Sequence, residues 1–99
     1  MTVFSHMSIQ LRPGQRQEAM EVFRAHNVFT DCAAAIPGFI QAFLLADHAD
    51  PDAVSVIAEW QTAQDFQDWT THPTRDAQEQ VLSRFLAAPP TTRLFERHL

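Results

Sequence analysis

The sequence predicts an α+β fold of the ferredoxin-like type, βαββαβ, an antiparallel sheet with helices on one face. Three observations carry that expectation. Four short stretches show the period-two side-chain alternation of strands, and helical periodicity fills two of the intervals between them. The middle strands are apolar at both parities, so helices on one face would leave the other exposed. A second copy of the sheet, packed about a twofold axis, is the simplest cover, and the expected assembly is a homodimer forming a dimeric α+β barrel.

In chain order, "VFSHMSIQL" (residues 3–11) places Val3, Met7, Ile9 and Leu11 on one face and Phe4, His6, Ser8 and Gln10 on the other, as a strand. "RPG" breaks it. From Gln15 to about Ala35, the apolar residues Ala19, Val22, Phe23, Phe29 and Ala33 recur at helical spacing and predict one helix, ended by Pro37-Gly38. "FIQAFLLA" reads as a strand covered on both faces, with Phe39, Phe43 and Leu45 on one side and Ile40, Ala42 and Leu44 on the other. "DHADPD" supplies a hairpin loop, and "AVSVIAEW" follows with Val54, Val56, Ala58 and Trp60 on one face. Thr62 and Asp65 have capping-box spacing and open a short helix that carries Phe66 and Trp69. Pro73 interrupts it, and Thr74 caps a second segment with Ala77, Val81, Leu82, Phe85 and Leu86 at spacings of three and four. "AAPP" ends that helix, and "TTRLFERHL" is the last strand.

Length and composition imply a single domain over residues 1–99 with one core. No run approaches the ~18 apolar residues of a membrane span, and the start of the chain has no signal-peptide pattern, so a cytoplasmic protein is expected. A net charge of −5 with seven Lys+Arg and no basic cluster argues against nucleic acid and against an anionic membrane surface. The lone Cys32 rules out an intramolecular disulfide and reads as a small buried apolar residue. Asp47, His48, Asp50 and Asp52 lie close together without calcium-loop spacing and are better explained by turn chemistry, so no metal is expected. Phosphate loops, paired-thiolate spacings and nucleophile elbows are absent from the sequence.

The residues left to carry chemistry are polar groups among apolar stripes. His26 lies one turn from both Val22 and Phe29, and is either a hydrogen-bonded core residue or a proton-handling group facing a cavity. His72 follows Trp69 by three residues and precedes Pro73, at a helix end where its ring either caps the helix or borders a pocket. Trp60 reads as core at the strand-to-helix junction. Phe29, Phe66, Trp69 and Phe85 are candidate walls for an apolar or aromatic ligand, with His26 entering the pocket from the first helix. His6, His48 and His98 have no partner pattern and read as solvated.

"RPG", "IPGF" and "VIAEWQTAQDFQDWTTHP" together resemble the antibiotic biosynthesis monooxygenase family of dimeric α+β barrels, over nearly the whole chain from Val3 to Leu99. The resemblance implies a cofactor-independent monooxygenase acting on a small aromatic, quinol-like or polyketide-type substrate. His26 or His72 would take a proton from the substrate's hydroxyl. The alternatives are a non-catalytic ligand-binding barrel and a polyketide-type cyclase or isomerase. Trp60 matches the strand-end tryptophan of the anthrone oxygenases, and Val56 stands where they have an asparagine. Trp69 matches a tryptophan of the haem degraders, but Met7 and Gln78-Glu79 stand near their asparagine and axial histidine, so neither haem nor any other cofactor is expected.

Overall fold

The computed structural model describes residues 1–99. Strands β1 (Val3–Gln10), β2 (Phe39–Ala46), β3 (Ala53–Trp60) and β4 (Thr91–Glu96) form one antiparallel sheet in the order β2-β3-β1-β4. Helices α1 (Arg16–Ala25) and α2 (Val28–Ala35) connect β1 to β2; α3 (Ala63–Thr70) and α4 (Pro73–Leu82), followed by a 3-10 turn at Ser83–Phe85, connect β3 to β4. This is the expected ferredoxin-like topology, with each crossover built from two helices.

The predicted single helix over 15–35 is broken because Asn27 adopts the left-handed conformation, φ 49° and ψ 44°. Among residues with a side chain, asparagine tolerates that region best. The break turns α2 away from the axis of α1, and the periodicity linking Val22, His26 and Phe29 no longer describes one face. In β2, Phe39 pairs with Trp60 and Gln41 with Glu59, leaving Ile40 as the extra residue of a bulge. The expected alternation therefore fails at the start of the strand: Phe39 shares the helix-facing side with Ala42 and Leu44, while Gln41, Phe43 and Leu45 face away.

The capping box forms as expected. Asp65 N–H donates to Thr62 Oγ1 at 3.2 Å, and Thr62 N–H donates to Asp65 Oδ2 at 3.0 Å. Gly38 is buried beside it, and a Cβ there would run into the Asp65 carboxylate, so the turn into β2 and the start of α3 exclude any larger residue. At α4 the cap is His72, two residues earlier than the predicted Thr74. Pro73 takes the first helical position, where its fixed φ fits and its missing N–H costs nothing, and His72 Nδ1 accepts from Thr74 N–H at 3.1 Å.

The helix-facing side of the sheet holds the core. Ile9, Leu11, Val54, Val56, Ala19, Phe23 and Phe85 form one buried cluster; Val3, Ala58, Trp60, Cys32, Ile36 and Trp69 form another. The opposite face carries Phe4, Ile57 and the exposed Phe43, Leu45 and Phe95. Embedded in it is Glu59, 3% exposed, which accepts from Thr2 Oγ1–H at 2.6 Å, Gln41 Nε2–H at 2.9 Å and Arg97 Nη1–H at 3.2 Å. These three donors tie β2, β3 and both chain ends together. The Thr2 hydroxyl first, then Gln41 and Arg97, hold the Glu59 carboxyl below the usual range against the opposing effect of burial.

A depressed folded-state value means that the unfolded chain binds this proton more readily. The stability contributed by Glu59 is therefore complete above the ordinary glutamate pKa of about 4.3 and is lost as pH falls through the folded-state value. Melting temperatures measured between about pH 6 and pH 3 should fall more steeply for the wild type than for Glu59→Gln. Equal slopes would show that Glu59 does not couple folding to protons.

Candidate functional site

Between sheet and helices lies a cavity of about 300 Å³, and 15 of its 22 lining residues are hydrophobic. Its floor is the helix-facing side of β1 and β3, contributed by Ser5, Met7, Ile9, Val56, Ala58 and Trp60. Phe39 and Ala42 extend that floor onto β2; Phe23, Val28, Phe29 and Cys32 come from the first crossover, and Phe66, Trp69 and Leu82 from the second. Trp60 organises one end: its ring meets Phe39 edge-on at 5.5 Å between centroids and Phe66 at 5.9 Å.

Polar groups are few and concentrated. On α4, Arg75, Gln78 and Glu79 reach the cavity, with Arg75 Nη1 and Glu79 Oε1 paired at 3.0 Å one turn apart. Gln78 Nε2–H points across to the Val28 carbonyl at 3.4 Å. On the floor, Trp60 Nε1–H donates to Ser5 Oγ at 3.0 Å. Burial pushes the Cys32 thiol up to about 12, which keeps it protonated and makes it part of the apolar wall. No three His, Cys, Asp or Glu side chains converge in a way that would hold a metal ion.

Of the residues singled out from the sequence, Phe29, Phe66 and Trp69 line the cavity together. Phe85 does not: the 3-10 turn carries it into the core at 2% exposure, with the Arg84 guanidinium 4.3 Å above its ring. His26 is exposed at the C-terminus of α1, where its N–H still bonds the Val22 carbonyl, and it does not reach the cavity; the break at Asn27 separates it from Phe29. His72 is half-buried, stacks on Trp69 with centroids 6.0 Å apart, and lines a separate shallow depression with Asp31 and Thr74. The two histidines thus do not meet across a common space.

Ser5, Arg75, Gln78 and Glu79 were not singled out as site residues, although their signals are in the sequence. Ser5 shares its parity with Val3, Met7 and Ile9, and a polar residue in a core stripe is informative. Arg75 and Glu79 are an oppositely charged pair at a spacing of four. Met7, Val56, Gln78 and Glu79, the positions at which the sequence departs from the oxygenases and haem degraders it resembles, all line this one cavity.

Residues 2–80 match the family model for antibiotic biosynthesis monooxygenases. The chain belongs to that family. No curated protein matches the chain. Among solved structures it is similar to SnoaB, a cofactor-independent oxygenase from Streptomyces nogalater, at 20% identity and a TM-score of 0.78, over 99% of this chain and 94% of that one. A conserved protein from Methanosarcina mazei Go1 aligns at 13% identity and TM-score 0.81, over 99% and 94% of the two chains. Rv0793 from Mycobacterium tuberculosis aligns at 14% and 0.79, over 99% and 96%. At these identities the likeness is one of fold. No helix is long and apolar enough to cross a membrane.

The placement of the two histidines separates them by experiment. His72→Ala removes the acceptor that caps α4 and should cost about 1 kcal/mol in urea denaturation. His26→Ala, at an exposed helix end, should stay within about 0.5 kcal/mol. A larger loss for His26→Ala than for His72→Ala would contradict this assignment.

Proposed function

We propose that the protein is a cofactor-independent monooxygenase whose substrate is a small, flat, acidic aromatic, such as a fused-ring carbon acid whose CH2 is conjugated to a ketone. The observation that carries this reading is the cavity: largely apolar, walled by Phe29, Phe39, Trp60, Phe66 and Trp69, with its charged groups confined to α4. Such walls exclude water and accept a ring face-on or edge-on.

With His26 outside the cavity and His72 in a separate depression, the proton chemistry falls to the Arg75–Glu79 pair. A carboxylate is a modest base, so the substrate must supply acidity through an anion delocalised over its rings. In the proposed step Glu79 takes the proton and Arg75 stabilises the anion. The electron-rich anion transfers one electron to dioxygen, the resulting radical pair combines at carbon as a peroxide anion, and Glu79 returns the proton to give the hydroperoxide. Loss of water then converts the CH2 to C=O. One oxygen atom stays on the product, the other leaves as water with the two carbon-bound hydrogens, and all four electrons come from the substrate carbon.

The reading includes a homodimer. Phe43, Leu45 and Phe95 are 47%, 45% and 43% exposed on the outer sheet face, and with Phe4 and Ile57 between them they form a patch suited to a second copy of the same sheet.

Incubation with an anthrone should consume dioxygen and place one atom of ¹⁸O₂ in the product. Glu79→Gln should lower kcat by about 10²-fold or more, and His26→Ala should leave it unchanged. Tight binding of the anthrone with no oxygen uptake would favour the non-catalytic ligand-binding barrel, for which the mutual engagement of Arg75 and Glu79 is the supporting observation. Sedimentation should show a dimer at micromolar concentration, and Phe43→Glu should dissociate or aggregate it; a stable wild-type monomer would remove the assembly from the reading.

A further inference from the structure

We infer that Ser5 is the residue that binds and orients a ligand oxygen in the cavity, donating its hydroxyl proton to a carbonyl or phenolate. The inference rests on the reading of the cavity as a site for an oxygenated aromatic. An indole N–H can only donate, so in the 3.0 Å bond between Trp60 Nε1 and Ser5 Oγ the serine oxygen is the acceptor. The hydroxyl proton is then left to find an acceptor of its own, and no side-chain or backbone oxygen of the chain receives it. Ser5 is 6% exposed and lines the cavity floor, so its hydroxyl meets whatever occupies the cavity.

A buried donor without an acceptor is unfavourable unless something in the cavity supplies one. The bond from Trp60 also polarises the hydroxyl and restricts its rotation, which makes it a better and better-aimed donor. Around it the floor is apolar: Met7, Val56 and Ala58 offer no competing polar group. The other polar groups of the cavity are Arg75, Gln78 and Glu79 on α4 and, toward β4, Ser83 and Thr92. A ligand held by Ser5 therefore has its acceptor oxygen at the sheet and its acidic position toward α4. This selects oxygenated fused rings over bare hydrocarbons of the same shape.

A matched pair of probes tests the inference: 1-tetralone, a bicyclic ketone, and tetralin, the same skeleton without oxygen. Dissociation constants from titration calorimetry, with the carbonyl stretch of bound 1-tetralone read by infrared difference spectroscopy, should separate the effects. The wild type should bind the ketone more tightly than tetralin and shift its carbonyl stretch to lower frequency. Ser5→Ala should weaken the ketone about tenfold, abolish the shift and leave tetralin affinity unchanged. Trp60→Phe, which keeps an aromatic ring but loses the N–H, should give a smaller loss and a smaller shift. Equal weakening of both probes by Ser5→Ala would mean a packing role and overturn the inference, as would a carbonyl shift that survives the substitution. Failure of the wild type to bind either probe would instead remove the aromatic-site reading on which the inference stands.

Discussion

The burial of the Trp60 indole at the end of β3 is the constraint on which the rest of the inner layer depends. The residue is 1% exposed, and each side of it meets a different element: Ser5 of β1 through the N–H, Phe39 of β2 and Phe66 of α3 through ring edges. A large side chain in that position fixes the spacing between sheet and second crossover, and its one polar atom demands a partner because a buried unpaired N–H costs about 1–3 kcal/mol. The partner it finds is a serine in an otherwise apolar stripe. Packing and polarity are thus solved by the same contact, and that contact lies on the wall of the cavity.

The cavity itself follows from helix length. Each crossover is cut into two short helices, α1 and α2 at Asn27 and α3 and α4 at His72-Pro73, and none exceeds ten residues. Short helices joined at angles cover a twisted sheet less evenly than a single rod of the same total length. The deeper pieces seal the two ends of the sheet as separate buried clusters, and residues of both clusters line the space between them. Aromatic rings, among them Phe29, Phe39, Trp60, Phe66 and Trp69, line it.

Much of this was legible from the sequence, and the gaps have physical causes. Strand alternation in β1 and β3 read correctly because each has one parity committed to the core; β2 misread at its start because one bulged residue, Ile40, reverses every parity before it. The capping box at Thr62 and Asp65 was visible because it is local, whereas the break at Asn27 was not, since a left-handed asparagine leaves no gap in an apolar pattern. That dihedral separates His26 from Phe29, and His26 lies exposed at the end of α1. Aromatic residues on helical faces are conspicuous, and Phe29, Phe66 and Trp69 do line the cavity; periodicity does not distinguish core from cavity wall, and Phe85 lies in the core. Ser5 and the Arg75–Glu79 pair were passed over because each is ordinary alone and acquires meaning only from the aromatic surface facing it.

The distribution of polarity in the cavity carries one further consequence. Val56 and Met7, the positions where the families that the sequence resembles are expected to carry an asparagine, both line the floor. An amide offers donors and an acceptor, and replacing it with an aliphatic side chain removes both. On β1 and β3 the floor keeps one hydroxyl, that of Ser5, already engaged as an acceptor by Trp60, so it can give a hydrogen bond to a ligand more readily than it can receive one. The acceptors and the cation have moved to α4, in Glu79, Gln78 and Arg75. A ligand that fits this arrangement needs an unprotonated oxygen over the sheet and its exchangeable proton over the helix, an orientation fixed by two opposed polar sites rather than by one bifunctional amide.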